Sequence, residues 1–215
     1  MSFTFTDWKH RIRNRADITG MVTHLTKPSE LTFNMSDEEI NLKAVGNLIK
    51  ILEDKRLNGS DTSSGFIVGK RPVVCFQDAP LHGIIQNVEY ELEKRNSTQI
   101  KKIRYCGIGL SFSKFYVYTY GGRPVIYDNT IEAKKYLPEE HYWRIVNFIL
   151  ETPNPKIIDW THEREWRVPD EFIFKYNYTH VVLYDKATYD YFLENCSKEI
   201  INKLHGITIL KSLLM

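Results

Sequence analysis

Trp160-Thr-His-Glu-Arg-Glu-Trp-Arg-Val-Pro169 sets two glutamates two residues apart between tryptophans. Side chains alternate along a strand, so an extended segment here places Glu163, Glu165 and Arg167 on one face. His162, Arg164, Trp166 and Val168 then fall on the other. Two carboxylates side by side inside a fold oppose folding through lost hydration and mutual repulsion. A chain that keeps them supplies a partner: a cation, a metal, a sugar hydroxyl or a proton. The plainer alternative is a solvated strand face on which Arg164 and Arg167 neutralise the two acids, since structural ion-pair networks are common.

Around this segment, short strands and helices follow one another without regular alternation. Downstream come a strand over 179–184, a helix after Asp185 and a final strand over 207–210. Immediately upstream, Tyr142, Ile145, Val146 and Ile149 recur at helical spacing, which predicts a helix over 139–150. A strand over 124–127 follows the Gly121-Gly122 turn, and a strand over 103–112 carries Gly107 and Gly109 on one face, the mark of a close approach to the backbone. Pro80 opens a helix bearing Leu81, Ile84, Ile85, Val88 and Leu92. Apolar runs 66–69 and 72–76 read as strands joined at Lys70-Arg71, after a polar loop over 57–65.

The clearest helix starts at Ser36. Ser36 and Glu39 form a capping box, and Ile40, Ala44, Val45, Leu48 and Leu52 make its apolar stripe. A strand over 21–26 ends at Lys27-Pro28, and the basic run 8–15 is either a first helix or an arm, a solvated helical face being the commoner outcome for such a run. The expected class is α+β: a mixed, mostly antiparallel sheet or split barrel with flanking helices.

The chain has 215 residues, 42% of them hydrophobic and 26% charged, enough for one large domain or two small ones. With no linker, repeat or low-complexity stretch to divide it, residues 1–215 are expected to form one domain, with 1–20 as an N-terminal helix or basic arm. The net charge of +2 gives no global field for duplex binding, leaving nucleic acid as a substrate held by a local patch. Cys75, Cys106 and Cys196 lie far apart and form neither a zinc framework nor a disulfide scaffold. No apolar run has membrane-spanning length and the first residues lack a signal-peptide core, so a cytoplasmic protein without membrane contact is expected.

Candidate chemistry outside the glutamates is sparse. His24 lies on a short strand, where an imidazole can bond a ribose hydroxyl or be satisfied within the fold. Gln77 and Asp78 end a strand just before the Pro80 helix, as ligand contacts or, for Asp78, as a helix cap. Cys75 reads as packing, and Lys50 and Lys114 as surface lysines. A G-x-S-x-G elbow, a P-loop and an H-E-x-x-H pair are all missing, and one histidine with two alternating glutamates is a poor zinc set, so no metal site is expected. A magnesium nuclease would need a second acidic cluster that the chain does not offer.

The order of segments carries a further signal. A histidine strand, Asn47-Leu-Ile-Lys-Ile-Leu52, Val74-Cys-Phe-Gln-Asp-Ala-Pro-Leu81, Tyr105-Cys-Gly-Ile-Gly-Leu-Ser111, Arg123-Pro-Val-Ile-Tyr127 and Glu163-Arg-Glu-Trp-Arg167 follow one another. From Val22 to Pro169 the chain resembles the abortive-infection family AbiGi, bacterial proteins tied to phage resistance. More distantly it resembles the ADP-ribosyltransferase fold, including DarT-type enzymes that modify DNA bases.

That resemblance implies an NAD-consuming toxin of anti-phage defence. His24 and Thr26 would match a His-x-Thr-like element that holds NAD, followed by the Asn47 helix. Glu165 would match the catalytic glutamate, with Glu163 completing an E-x-E pair. Gln77 and Asp78 stand where the arginine-specific class has a Ser-Thr-Ser strand, and the spacing from His24 to Asn47 is longer than in DarT-type enzymes. Tyr105, Tyr116, Tyr118 or Tyr120 would stack nicotinamide. NAD is then a substrate, the acceptor a nucleic acid (DNA or RNA) or a protein, and an antitoxin or other defence-system partner is implied. Two other readings stay open: a non-catalytic component that binds a nucleotide or a protein, and a metal-dependent nuclease.

Overall fold

Ser36 forms its capping box as the spacing predicts: the Glu39 amide donates to its hydroxyl at 3.2 Å, and the Ser36 amide donates to Glu39 Oε2 at 2.7 Å. The helix Asp37–Asp54 follows and buries Ile40, Ala44, Val45, Leu48 and Leu52, joined by Ile49. Each of the Ile, Val and Leu side chains contributes roughly 1.5–3 kcal/mol when fully buried. This is a computed structural model, which describes residues 3–28, 35–60, 63, 67–97, 103–151 and 156–215. Its elements form two compact units.

The first unit comprises Met1–Lys55, Ala79–Ser113 and Phe174–Met215. Its four-stranded sheet runs Met21–Leu25, Gly109–Ser113, His180–Leu183, Gly206–Ile209, antiparallel except for the last pair. Thr23 and Ser111 face each other across the first pair, their hydroxyls 2.7 Å apart and buried. Helices Phe5–Arg13, Asp37–Asp54, Leu81–Ser97, Lys186–Asn195 and Lys198–Lys203 belong to this unit. Asp185 caps the fourth of them, accepting from the Thr188 amide at 3.0 Å. The basic run 8–15 is thus largely helical, and Arg15 pairs with Asp17.

The second unit comprises Arg56–Asp78 and Lys114–Ile173. Trp166–Pro169 lies between Val73–Phe76 and Arg123–Pro124, antiparallel to both. Three two-stranded pairs accompany it: Arg56–Asn58 with Glu171–Ile173, Ile126–Asp128 with Ile145–Asn147 (parallel), and Ile149–Glu151 with Lys156–Ile158. Phe76 meets Phe172 edge-on at 5.5 Å, and Tyr116 and Tyr120 close around the same ring. The whole is mixed α+β with mainly antiparallel sheets, each open rather than closed on itself among the described residues. No helix among the described residues is long and apolar enough to cross a membrane.

Several expected elements differ: Leu57 and Asn58 of the expected loop 57–65 lie in a strand, and the strand expected over 124–127 breaks at Val125 into Arg123–Pro124 and Ile126–Asp128. Residues 139–150 form a 3-10 turn, Glu139–Arg144, then strands Ile145–Asn147 and Ile149–Glu151. The helical spacing there rests on β-branched Ile145, Val146 and Ile149, which suit a strand better, and partner strands are at hand to pair with them. The strand expected over 103–112 begins only at Gly109. Of the run 66–69, Phe66 lies outside the described residues and Ile67 and Val68 are irregular. Parts of the loop 57–65 also lie outside them.

Gly107 and Gly109 do mark close approaches, and the chain itself supplies both. A Cβ on Gly109 would stand 2.0 Å from the His24 carbonyl oxygen, and one on Gly107 2.8 Å from the Tyr184 ring. Gly109→Ala therefore forces the Met21–Leu25 strand aside and is expected to destabilise the fold by about 3 kcal/mol. Gly46→Ala, in a helix with nothing within 4 Å of the new methyl group, should stabilise it by roughly 0.5–1 kcal/mol. Urea unfolding midpoints that shift in these opposite directions verify the packing.

Candidate functional site

The Glu163-Arg-Glu165 segment is not a continuous strand. Asp159 Oδ1 accepts from the Thr161 amide at 2.9 Å and its hydroxyl at 2.7 Å, winding Thr161–Glu163 into a 3-10 turn. Arg164 then takes a left-handed conformation at φ 44°, which costs an L-residue roughly 1–2 kcal/mol. The kink takes Glu163 out of the strand alternation. Only Glu165 and Arg167 keep the shared face that the sequence implies.

Both are buried, 6% and 3% exposed. Arg167 grips the Glu165 carboxylate with two arms, Nε to Oε1 at 2.8 Å and Nη2 to Oε2 at 3.2 Å. Its third nitrogen, Nη1, donates to the Trp143 and Ile145 carbonyls at 2.7 and 3.1 Å. The Glu165 backbone is also held: its amide donates to the Tyr127 hydroxyl oxygen at 2.8 Å and its carbonyl accepts from the Val125 amide at 3.0 Å. Burial pushes the Tyr127 phenol up to about 12. Cys75 stands opposite Arg167 in the register. Burial, and then the neighbouring Glu165 charge, push its thiol well above the usual range, which fits a packing role.

A second polar cluster adjoins the kink. The Asp78 amide donates to the Glu163 carbonyl at 3.1 Å, and Asp78 Oδ2 accepts from Lys114 Nζ at 2.8 Å and Trp166 Nε1 at 3.3 Å. Burial raises the Asp78 carboxyl despite the adjacent Lys114 ammonium. Lys114 is therefore not a surface lysine: its side chain is 18% exposed and tied to Asp78. Asp78 is engaged by Lys114 and Trp166 rather than by a helix N-terminus.

The remaining expected site residues divide between the units. Gln77, buried, belongs with Asp78, Glu163 and Glu165 in the second. His24, Thr26, Asn47 and Tyr105 belong to the first. There, Asn47 Nδ2 donates to the Lys27 carbonyl at 2.8 Å, and the Thr26 amide donates to the Ile108 carbonyl at 2.8 Å. The Thr26 hydroxyl is buried without a hydrogen-bond partner among the described residues. His24 and Tyr105 are half-buried. No group of three or more His, Cys, Asp or Glu side chains suited to a metal ion occurs among the described residues. Sequence reasoning missed Tyr127 and Lys114, whose partners lie far away in the chain and leave no local pattern. Arg167 was legible as a neutraliser of the acids, though not as the holder of two carbonyls.

Compared with models of protein families, with curated proteins and with solved structures, the chain matches none.

Removing one partner of a buried pair strands the other, at a cost of about 3–5 kcal/mol. Arg167→Ala should lose that much in chemical denaturation. All three thiols are pushed upward by burial, Cys106 to about 11. A thiol-titrating reagent at mildly alkaline pH should find none reacting quickly in the folded protein and all three in denaturant.

Proposed function

We propose that this chain is a cytoplasmic, NAD-dependent toxin of bacterial anti-phage defence with an ADP-ribosyltransferase-like fold. It transfers ADP-ribose to a nucleic-acid base or a protein side chain. The observation that carries this reading is the Glu165 carboxylate, held in one orientation by both arms of Arg167, directly after the left-handed kink that bears Glu163. Buried charge pairs add little net stability over apolar packing, and strained backbone gathers at functional sites. The order of motifs shared with the AbiGi and DarT-type families supplies the chemistry.

In that chemistry the bond from ribose C1′ to nicotinamide breaks, nicotinamide leaves with the electron pair, and positive charge develops on the ribose. A fixed carboxylate beside that charge favours the transition state without having to reorganise, the role assigned to Glu165. The acceptor's nucleophilic atom then bonds C1′, and its proton passes to a base, for which Glu163 is the candidate. In the second unit, which holds Glu163 and Glu165, Gln77 and Asp78 are the residues assigned to NAD.

One observation favours a second reading, a non-catalytic component that binds a nucleotide or a protein. Both Glu165 oxygens already accept guanidinium hydrogen bonds, and the side chain is 8% exposed, as in a structural ion pair. Incubation with labelled NAD and, in turn, DNA, RNA and cell lysate, with and without chelator, separates the readings. Transfer predicts label on one macromolecule, insensitive to chelator, and its loss together with toxicity in a folded Glu165→Gln variant. Intact NAD with toxicity unchanged in that variant would establish the second reading instead.

A further inference from the structure

We infer that the first unit pairs with a second copy of this chain by exchange, the helix Phe5–Arg13 of each copy seating in a groove beside the helix Leu81–Ser97 of the other. No residue of Phe5–Arg13 is buried. Trp8 and Ile12 turn toward Gly20, where an added Cβ would stand 3.2 and 3.6 Å from them, and both are half-buried. Phe5, Lys9 and Arg13 recur every fourth residue and so share another stripe of the helix, where all three are exposed. Lys9 Nζ lies 4.6 Å over the Phe5 ring, which is 53% exposed. Three cations, Lys9, Arg11 and Arg13, stand against the single acid Asp7, which is engaged in the Thr4 cap. Among the described residues none of the three cations forms an ion pair.

The groove carries the opposite charge. It encloses about 530 Å³, and Glu89, Tyr90, Leu92, Glu93 and Leu214 are among the residues that line it; no lysine or arginine does, and no part of Phe5–Arg13 reaches it. Tyr90 is 57% and Leu214 43% exposed. Glu89 and Glu93 stand one helical turn apart, a like-charge pair that weakens its own helix until a cation meets it. The Tyr184 hydroxyl donates to Glu89 at 2.7 Å and orients that carboxylate, while Glu93 has no ion-pair partner among the described residues. The Tyr90 ring already has one cation near it, Lys94 at 5.8 Å. Lys9 and Arg13 repeat the spacing of Glu89 and Glu93 with the sign reversed, and Phe5 extends the same stripe toward apolar lining. Exchange across a two-fold axis makes the two seats identical. A helix of nine residues makes a small seat, and two such seats place the pair among weak, salt-sensitive associations. A lipid surface fits this helix less well, because its apolar pair Trp8 and Ile12 is turned inward rather than outward.

Sedimentation of the full chain tests the exchange, from about 1 to 200 μM protein at about 50 and 500 mM salt. Expected is a monomer–dimer equilibrium with a midpoint of roughly 10–100 μM, weakened at least fivefold by the higher salt. Lys9→Glu and Glu93→Lys, both at exposed positions, should each weaken it about tenfold, as should Phe5→Ala. Mixing the Lys9→Glu and Glu93→Lys proteins should restore the dimer, because each mixed pair keeps one unaltered helix in one unaltered groove. Circular dichroism checks that each variant is folded, with Arg13→Glu replacing Lys9→Glu if it is not. A monomer throughout, a dimer that neither charge reversal weakens, or a mixture no better than its components overturns the inference. Flotation with vesicles of phosphatidylglycerol and phosphatidylcholine covers the other use of a basic, aromatic helix. Vesicle binding that Lys9→Glu abolishes, by a protein that stays monomeric, gives Phe5–Arg13 to a lipid surface and overturns it too.

Discussion

Arg167 uses three nitrogens of one guanidinium to hold a carboxylate two residues away and two carbonyls more than twenty residues back in the chain. Much of the second unit hangs on that fork. It fixes Glu165 just ahead of the central strand, draws the Trp143–Ile145 stretch onto it and stands beside Cys75 in the next strand. A guanidinium buried this deeply is tolerable only when its charge and its donors are all engaged, so the surrounding segments are constrained together. The irregular, short-stranded character of the unit follows: its strands are arranged about a polar centre as much as an apolar one, with the Phe76, Phe172, Tyr116 and Tyr120 rings forming the apolar part.

Where structure is decided locally, it could be read in advance. The Ser36 capping box and its stripe needed only neighbours three and four residues apart, and the helix formed as written. The shared face of Glu165 and Arg167 followed from strand alternation. Elements decided by distant partners were not legible in this way. The stretch Ile145–Glu151 fits helical spacing, yet became strands because other segments pair with it. Glu163 left the strand face because Asp159 turned the chain before it, a side-chain bond that no periodicity reports. Lys114 looked like any lysine until Asp78 was beside it.

The functional reading has the same division. Two acids in a short motif suggested a site, and the structure gives them unequal positions: Glu165 is buried and gripped, while Glu163 sits on the turn, its carbonyl bonded to the Asp78 amide.

Arg164 has a consequence beyond its geometry. Asparagine or glycine would sit in a left-handed turn with less strain, so an arginine there holds part of the folding free energy as torsion in the backbone. A torsion held against its preference is a loaded spring. Releasing it would mean giving up the bonds that pin the turn on both sides, the Asp159–Thr161 bonds before it and the Arg167 fork on Glu165 after it, so the strain stays where it is stored.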